Sequence, residues 1–364
     1  MRESYQHGGA VFPQGGVQRS DILDFSVNIN PRGMPPEVEE ALHRAVSACI
    51  HYPDPFARGL VAGLAAQYGV RETQVFCGNG AADVIERLAE VLQPRRALLL
   101  APTFSEYERA LARRGCHCAF HVLRPEEGFQ LTERIFDDLT PDTELFWLCL
   151  PNNPTGLLPS RELFARIVAR CAELDILLLT DECFLGFVAA QNPPSLRCFL
   201  QDASGARRIL LSAFTKTFAM PGVRLGYCIS SEEMLCGQLF QAGQPWAVSV
   251  LAEAAGEAAL RCTGWAAESA ELLSAWREEL RRKLRMLGFW VAESQANFLF
   301  FAEQRPDTER AEQLLRHCAS RGVPIRDCSN FRGLSAGYFR AAVRTTEENQ
   351  KLVAALREFL EEGG

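Results

Sequence analysis

Four short runs constrain this chain more than any other feature. RALLLAP (Arg96 to Pro102), ELFWLCLP (Glu144 to Pro151), ILLLTD (Ile176 to Asp181) and RRILLSAF (Arg207 to Phe214) are apolar at almost every position, not at every second one. A strand with one wet face alternates; a strand covered on both faces does not. Between the runs lie stretches with helical periodicity, among them AADVIERLAEVL, SEYERALARRG and SRELFARIVARCAEL. This alternation predicts an α/β fold, a mostly parallel sheet covered by helices. CHCAFHVL reads as a further strand, and PPEVEEALHRAVSACI as a helix opened by proline. From about Ser249 helices dominate, one of them long and charged from about Gly264 to Leu287. The short strands NFLFF, VPIRDC and YFRAAVR come next, then a helix opened by a capping box, Thr345 to Glu348. The expected division is an N-terminal segment (1–50) packing with a small domain, a large domain (51–248) and a small α+β C-terminal domain (249–364).

The 364 residues, 48% of them apolar, are enough for one large core and a smaller lobe. A net charge of −7 argues against a nucleic-acid surface. No apolar run has membrane-spanning length and no basic leader precedes one, so a cytoplasmic protein is expected. Thirteen cysteines include no Cys-x-x-Cys pair, and many lie inside apolar runs. They read as reduced, buried small hydrophobes. GCHCAFH (Gly115 to His121) invites a metal reading, but no second ligand cluster accompanies it and a strand is favoured, so no metal is expected.

In open α/β sheets, ligands bind beyond the carboxyl ends of the strands. The four runs are followed by Thr103-Phe104, by PNNPTG, by Asp181-Glu182 and by Thr215-Lys216. Four strand ends thus deliver an aromatic ring, an amide, a carboxylate and an amine. Upstream, FCGNGAADVIERL is a glycine turn entering a helix, which offers free N–H groups and a positive dipole end to an anion. Lys216 is the one charge between Ile209 and Val223, and Arg224 comes eight residues later. Each piece alone has a plain structural reading: a turn, a helix cap, a lysine reaching the surface. Together they fit pyridoxal phosphate.

NNPTG (Asn152 to Gly156), Asp181-Glu182 and TKTFAMPGVRLGY (Thr215 to Tyr227) resemble the fold-type I, aspartate-aminotransferase-like enzymes. The resemblance spans the chain from about His7 to the last helix. It implies a mostly parallel seven-stranded sheet in the large domain and pyridoxal phosphate as cofactor. It makes Lys216 the Schiff-base lysine and Asp181 the partner of the pyridine nitrogen. Asn153 would bond the ring's phenolic oxygen, and Phe104 would stack on the ring. Gly80 and Ala81 amides, Thr215 and Arg224 would hold the phosphate. Tyr52 would reach it from a second subunit, implying a homodimer with shared sites. Arg340 would bind the substrate carboxylate with a bidentate fork. Two positions depart from the family pattern: Phe184 stands where many relatives have tyrosine, and Ala213 where many have a hydroxyl, with Ser212 beside it.

The cofactor does not fix the reaction. Two subgroups compete, histidinol-phosphate aminotransferases and the L-threonine-O-3-phosphate decarboxylases of cobalamin biosynthesis. HGG (His7 to Gly9), LDFSVNINPRGMP (Leu23 to Pro35), QPWAVSV (Gln244 to Val250) and Arg344 resemble the decarboxylases. That resemblance implies a phosphorylated amino acid as substrate, with His7, Gly8, Asn30, Asn153, Arg326 and Arg340 as its binding residues. Arg32 and Arg344 are further donors for a phosphate, or plain surface charges. The motifs alone leave decarboxylation and transamination both open.

Overall fold

The computed structural model describes residues 8–9, 22–200, 205–304 and 307–362. Seven strands, β1 (Val75–Gly78), β2 (Arg96–Ala101), β3 (His117–Val122), β4 (Leu145–Cys149), β5 (Leu177–Asp181), β6 (Arg208–Ala213) and β7 (Gly226–Ser230), form one sheet in the order β1-β7-β6-β5-β4-β2-β3. β3, β2, β4, β5 and β6 run parallel, and β7 is antiparallel to both β1 and β6. This is the mostly parallel sheet expected. The five parallel strands are those that the sequence predicts. β1 and β7 are additions to them: VFCG lies inside the glycine turn, and GYCIS is five residues long.

Helices cover both faces, so every residue of β4, β5 and β6 is buried. Alternate side chains enter two separate apolar layers. Leu98, Leu148, Leu178 and Leu210 face α2 (Arg58–Tyr68), α6 (Arg161–Glu173) and α9 (Val250–Arg261). Leu99, Trp147, Leu179 and Leu211 face α3 (Gly80–Leu92), α4 (Ser105–Ala112) and α8 (Glu233–Gln241). Each such leucine contributes about 1.5–3 kcal/mol of burial, which is why near-continuous apolar runs are needed here. β3, at the edge, keeps His117 and Val122 exposed. α1 (Pro36–Ala45) lies against α9, and α5 (Ile135–Asp138) and α7 (Phe214–Thr217) are single helical turns.

A second sheet, antiparallel throughout, has the order β10-β11-β9-β8, from β8 (Trp290–Val291), β9 (Phe298–Ala302), β10 (Arg326–Asp327) and β11 (Tyr338–Ala342). It packs with α10 (Trp265–Met286), α11 (Thr308–Ser320) and α12 (Thr346–Glu362) through Leu273, Leu280, Leu314, Phe301, Phe339 and Leu356. α12 has the capping box that the sequence predicts: Thr345 Oγ1 accepts from Glu348 N at 3.4 Å, and Glu348 Oε2 from Thr345 N at 3.3 Å. The stretch at Leu23–Phe25 joins this unit: Leu23 N donates to Gly322 O, Phe25 N to Pro324 O, and Phe25 O accepts from Ala342 N.

All thirteen cysteines are free. His117 to Val122 is a strand, with His121 buried on Asp138 at 2.7 Å. Among the described residues no group of His, Cys, Asp and Glu has the makings of a metal site. None of the described helices is long and apolar enough to cross a membrane.

Candidate active site

The ends of β4, β5 and β6 bring Asn153, Asp181 and Lys216 to one edge of the large sheet. Lys216 sits on α7, a single helical turn directly after β6. Burial first, and then the nearby Arg340 guanidinium, push its amine down to about 8. Asp181 is 5% exposed. The Tyr107 hydroxyl donates to its Oδ2 at 2.7 Å, and the Cys183 N–H to its Oδ1 at 3.0 Å. Burial raises its pKa, while those two donors oppose the rise. Tyr107 is fully buried, stacked on Trp147 at 4.8 Å and edge-on to Phe104 at 5.5 Å. Sequence reasoning misses Tyr107. It lies one turn into α4 after Phe104, and nothing local marks it as the partner of an acid 74 positions away. Glu182, the other half of the motif, turns away to accept from Thr180 Oγ1, Ser195 Oγ and Leu196 N.

At the start of α3, Gly80 has φ +81°, and a Cβ there would come within 2.6 Å of Arg224 Nη2. Glycine lets the guanidinium lie over the helix N-terminus, where the first N–H groups have no partner within the helix. Ala81 is the next residue of that turn, and Thr215 is buried on α7. Arg224 donates to Pro221 O at 3.1 Å and has no ion pair among the described residues.

Arg340 comes from β11 of the small sheet and is 7% exposed. Its Nη1 donates to Asn153 Oδ1 and its Nη2 to Ser26 O at 3.0 Å, while its buried Nε has no partner among the described residues. Burial pushes it down to about 10. Arg326 is its direct cross-strand partner. Arg326 donates to Asp327 O and to Asn330 Oδ1 and lies over Phe331. Like charges directly opposite each other across two strands are destabilising unless an anion lies between them. Phe104 and Thr103 line one side of a cavity of ≈380 Å³, with Phe331 and Arg332 on the other; Arg332 pairs with Glu108.

Gly8 lies against Ser26: a Cβ on it would be 2.2 Å from Ser26 O, and Gly9 N donates to Ser26 Oγ at 2.8 Å. His7 lies outside the described residues. Tyr52 is 82% exposed and packs on Trp246 at 5.0 Å, apart from the cluster around Lys216. Asn30 is placed beneath α7, with its amide donating to Thr217 O and Ser269 Oγ. Arg32 pairs with Glu268 and stacks on Trp265 at 3.7 Å, and Arg344 pairs with Glu348. Both arginines are held by their own carboxylates. Phe184 packs on Phe298, and Ser212 sits beside the Tyr227 hydroxyl.

Residues 20–356 match the family model for aminotransferase class I and II. Threonine-phosphate decarboxylase of Salmonella typhimurium is 37% identical over 97% of this chain and 96% of that protein. A bifunctional adenosylcobalamin biosynthesis protein of Leptospira interrogans is 31% identical over 96% of this chain and 40% of its own length. The histidinol-phosphate aminotransferase structure from Clostridium acetobutylicum superimposes with a TM-score of 0.85 at 26% identity, covering 94% of this chain and all of that one.

Proposed function

The chain belongs to the class I and II aminotransferases, a pyridoxal-phosphate-dependent family, and from that premise we propose that it decarboxylates L-threonine O-3-phosphate. The products are (R)-1-amino-2-propanol O-2-phosphate and CO2, and the role is supply of the aminopropanol linker in cobalamin biosynthesis. The donor set fits the cofactor: a guanidinium with no carboxylate among the described residues over a helix N-terminus, a buried acid with lone pairs to spare, and an amine of depressed basicity.

In this reading Lys216 supplies a neutral amine as the point of covalent attachment. Asp181 keeps a proton on the ring nitrogen, its charge undiminished because both its donors are neutral. Asn153 donates through Nδ2 to the phenolic oxygen, its Oδ1 being taken by Arg340. Phe104 covers one ring face. The Gly80 and Ala81 N–H groups, the Thr215 hydroxyl and Arg224 hold the phosphate. Bound there, pyridoxal phosphate supplies an electron sink for charge left at the substrate's α-carbon. Arg340 takes the substrate carboxylate, and Arg326, with His7 and Gly8, takes its phosphate.

The observation that carries this reading is the cross-strand pair of Arg326 and Arg340. Two guanidinium groups side by side suit a substrate with both a carboxylate and a phosphate. Histidinol phosphate has the phosphate alone, and although the keto acid of a transamination also carries two anions, the 37% identity to a threonine-phosphate decarboxylase favours decarboxylation. The fold similarity to a histidinol-phosphate aminotransferase keeps transamination as the second reading. We place the enzyme in the cytoplasm as a homodimer. Tyr52 projects from an exposed apolar surface with Ile50, Phe56 and Trp246, a position from which it can serve a second subunit's phosphate site. The test is to supply L-threonine phosphate and follow CO2 with and without 2-oxoglutarate. CO2 release independent of the keto acid is expected. Amino transfer that requires the keto acid and releases no CO2 would sink the proposal.

A further inference from the structure

α7 is one turn long, too short to be held by its own hydrogen bonds. Its last carbonyls face a set of donors from far away in sequence. Asn30 N donates to Lys216 O at 3.2 Å, and Asn30 Nδ2 to Thr217 O at 2.8 Å. Trp265 Nε1 donates to the same Thr217 O at 3.2 Å. Asn30 is 2% exposed, and its remaining groups are spent as well: Nδ2 also donates to Ser269 Oγ at 2.9 Å, and Oδ1 accepts from Arg32 N at 3.1 Å. Ser269, with no exposed surface, donates back to Trp265 O at 2.7 Å, and Arg32 closes the ring by stacking on Trp265. Both N–H groups of the Asn30 amide are thereby used, so it has no donor left for a substrate anion.

We infer that Asn30, together with Trp265, is a positioning residue for Lys216: the pair clamps the carbonyl end of α7 and so fixes where the lysine amine lies. The residue that resemblance alone would put on the substrate acts through the lysine backbone. The same segment also bears on substrate binding, because Ser26 O, four residues upstream, receives Arg340 Nη2. A released α7 lets the amine drift from its working position, and a misplacement of about 1 Å costs on the order of a hundredfold in rate. It also lets water reach the lysine nitrogen, free or joined to the cofactor, and hydration favours the protonated form of either.

The inference rests on the reading that Lys216 carries the cofactor, and the experiment separates the two. Holoenzyme is prepared as the parent, Asn30→Asp, Trp265→Phe and Glu268→Gln. Asn30→Asp keeps the acceptor for Arg32 N but turns a lone pair toward Thr217 O. Trp265→Phe keeps a ring beneath Arg32 and removes one donor, so it serves even where a buried aspartate prevents folding. The pH titration of the lysine-bound cofactor's visible absorbance is recorded, and kcat and KM for L-threonine phosphate are measured. For Asn30→Asp the titration midpoint moves upward and kcat falls about tenfold to a hundredfold, with KM within about twofold. Trp265→Phe shifts both in the same direction by less, and Glu268→Gln, at the exposed end of the Arg32 pair, leaves them unchanged. A raised KM with an unmoved midpoint would overturn the inference, because it would make Asn30 a substrate contact. Lower thermal stability alone, with the midpoint and kcat unmoved, would overturn it too. A parent protein with no Lys216-dependent absorbance would overturn the cofactor reading, and the inference with it.

Discussion

Tyr107→Phe removes one oxygen atom from the site and nothing else. The ring still fills its place against Trp147 and Phe104, so no cavity opens. The 2.7 Å bond to Asp181 Oδ2 is lost, leaving the N–H and the thiol of Cys183 as donors. A hydrogen bond to a charged group contributes about 1.5–3 kcal/mol. Asp181 is buried, so water cannot replace the lost donor, and the apoprotein should lose about that much unfolding free energy near neutral pH. The acid sets the sign of the pH dependence. Burial raises the folded-state pKa of Asp181 above its unfolded value, so its buried charge costs stability above that pKa, and the cost fades as pH falls through it. The phenol relieves that cost only while Asp181 is ionised. The gap between parent and variant should therefore be full near neutral pH and narrow in acid. Urea melts of the two apoproteins, near neutral pH and again in mildly acidic buffer, measure it. A gap below about 0.5 kcal/mol, or one that does not change with pH, would refute the assignment of Tyr107 as the donor that keeps Asp181 anionic.

Gly80→Ala places a Cβ 2.6 Å from Arg224 Nη2 at a residue with φ +81°. The backbone strain alone is about 1–2 kcal/mol, and cofactor affinity should fall by roughly tenfold or more, read by titrating apoprotein with pyridoxal phosphate. Covalent capture of the cofactor by the apoprotein needs the neutral amine, so its rate should rise with pH and level off above about 8, the value to which burial lowers Lys216. At pH 7 about 9% of such an amine is neutral, against about 0.03% at the ordinary 10.5. A rate still climbing toward pH 10 would mean that the amine is not desolvated.

The parallel core of the sheet is legible in the sequence because burial on both faces writes itself into consecutive residues. The carboxyl ends of those runs then point to Phe104, Asn153, Asp181 and Lys216 without knowledge of the fold. β1 and β7 escape for a physical reason. β1 has only four residues, and the glycines at their ends, Gly78 and Gly226, read as turns. Tyr107 and Trp265 escape for another. Each acts through a single polar atom on an otherwise apolar ring, and the partner lies 74 or 48 positions away. Asn30 stands out as a residue of interest, but the sequence does not say whether its amide meets a substrate or a backbone carbonyl.

Charge pairing is what sorts the arginines. Arg32 and Arg344 are candidates for the substrate phosphate on sequence alone, yet each has a carboxylate of its own in Glu268 and Glu348. Arg224 and Arg340 have none among the described residues. Arg340 bears the full consequence: it is buried, its Nε is orphaned, and desolvation lowers its pKa to about 10. Both guanidinium groups repel Lys216, and the carboxylate that acts against them there is the buried Asp181. A site so unbalanced is costly when empty, because like charges repel and the shortage of water cannot screen them. Anions entering it recover that cost. In the proposed function, a cofactor phosphate at Arg224 and a substrate carboxylate at Arg340 would each meet a guanidinium that has no carboxylate among the described residues, so part of the binding energy would be stored in the protein as unmet charge. The same argument explains why spacing does not rank the arginines. Their roles depend on which carboxylates the fold withholds from them.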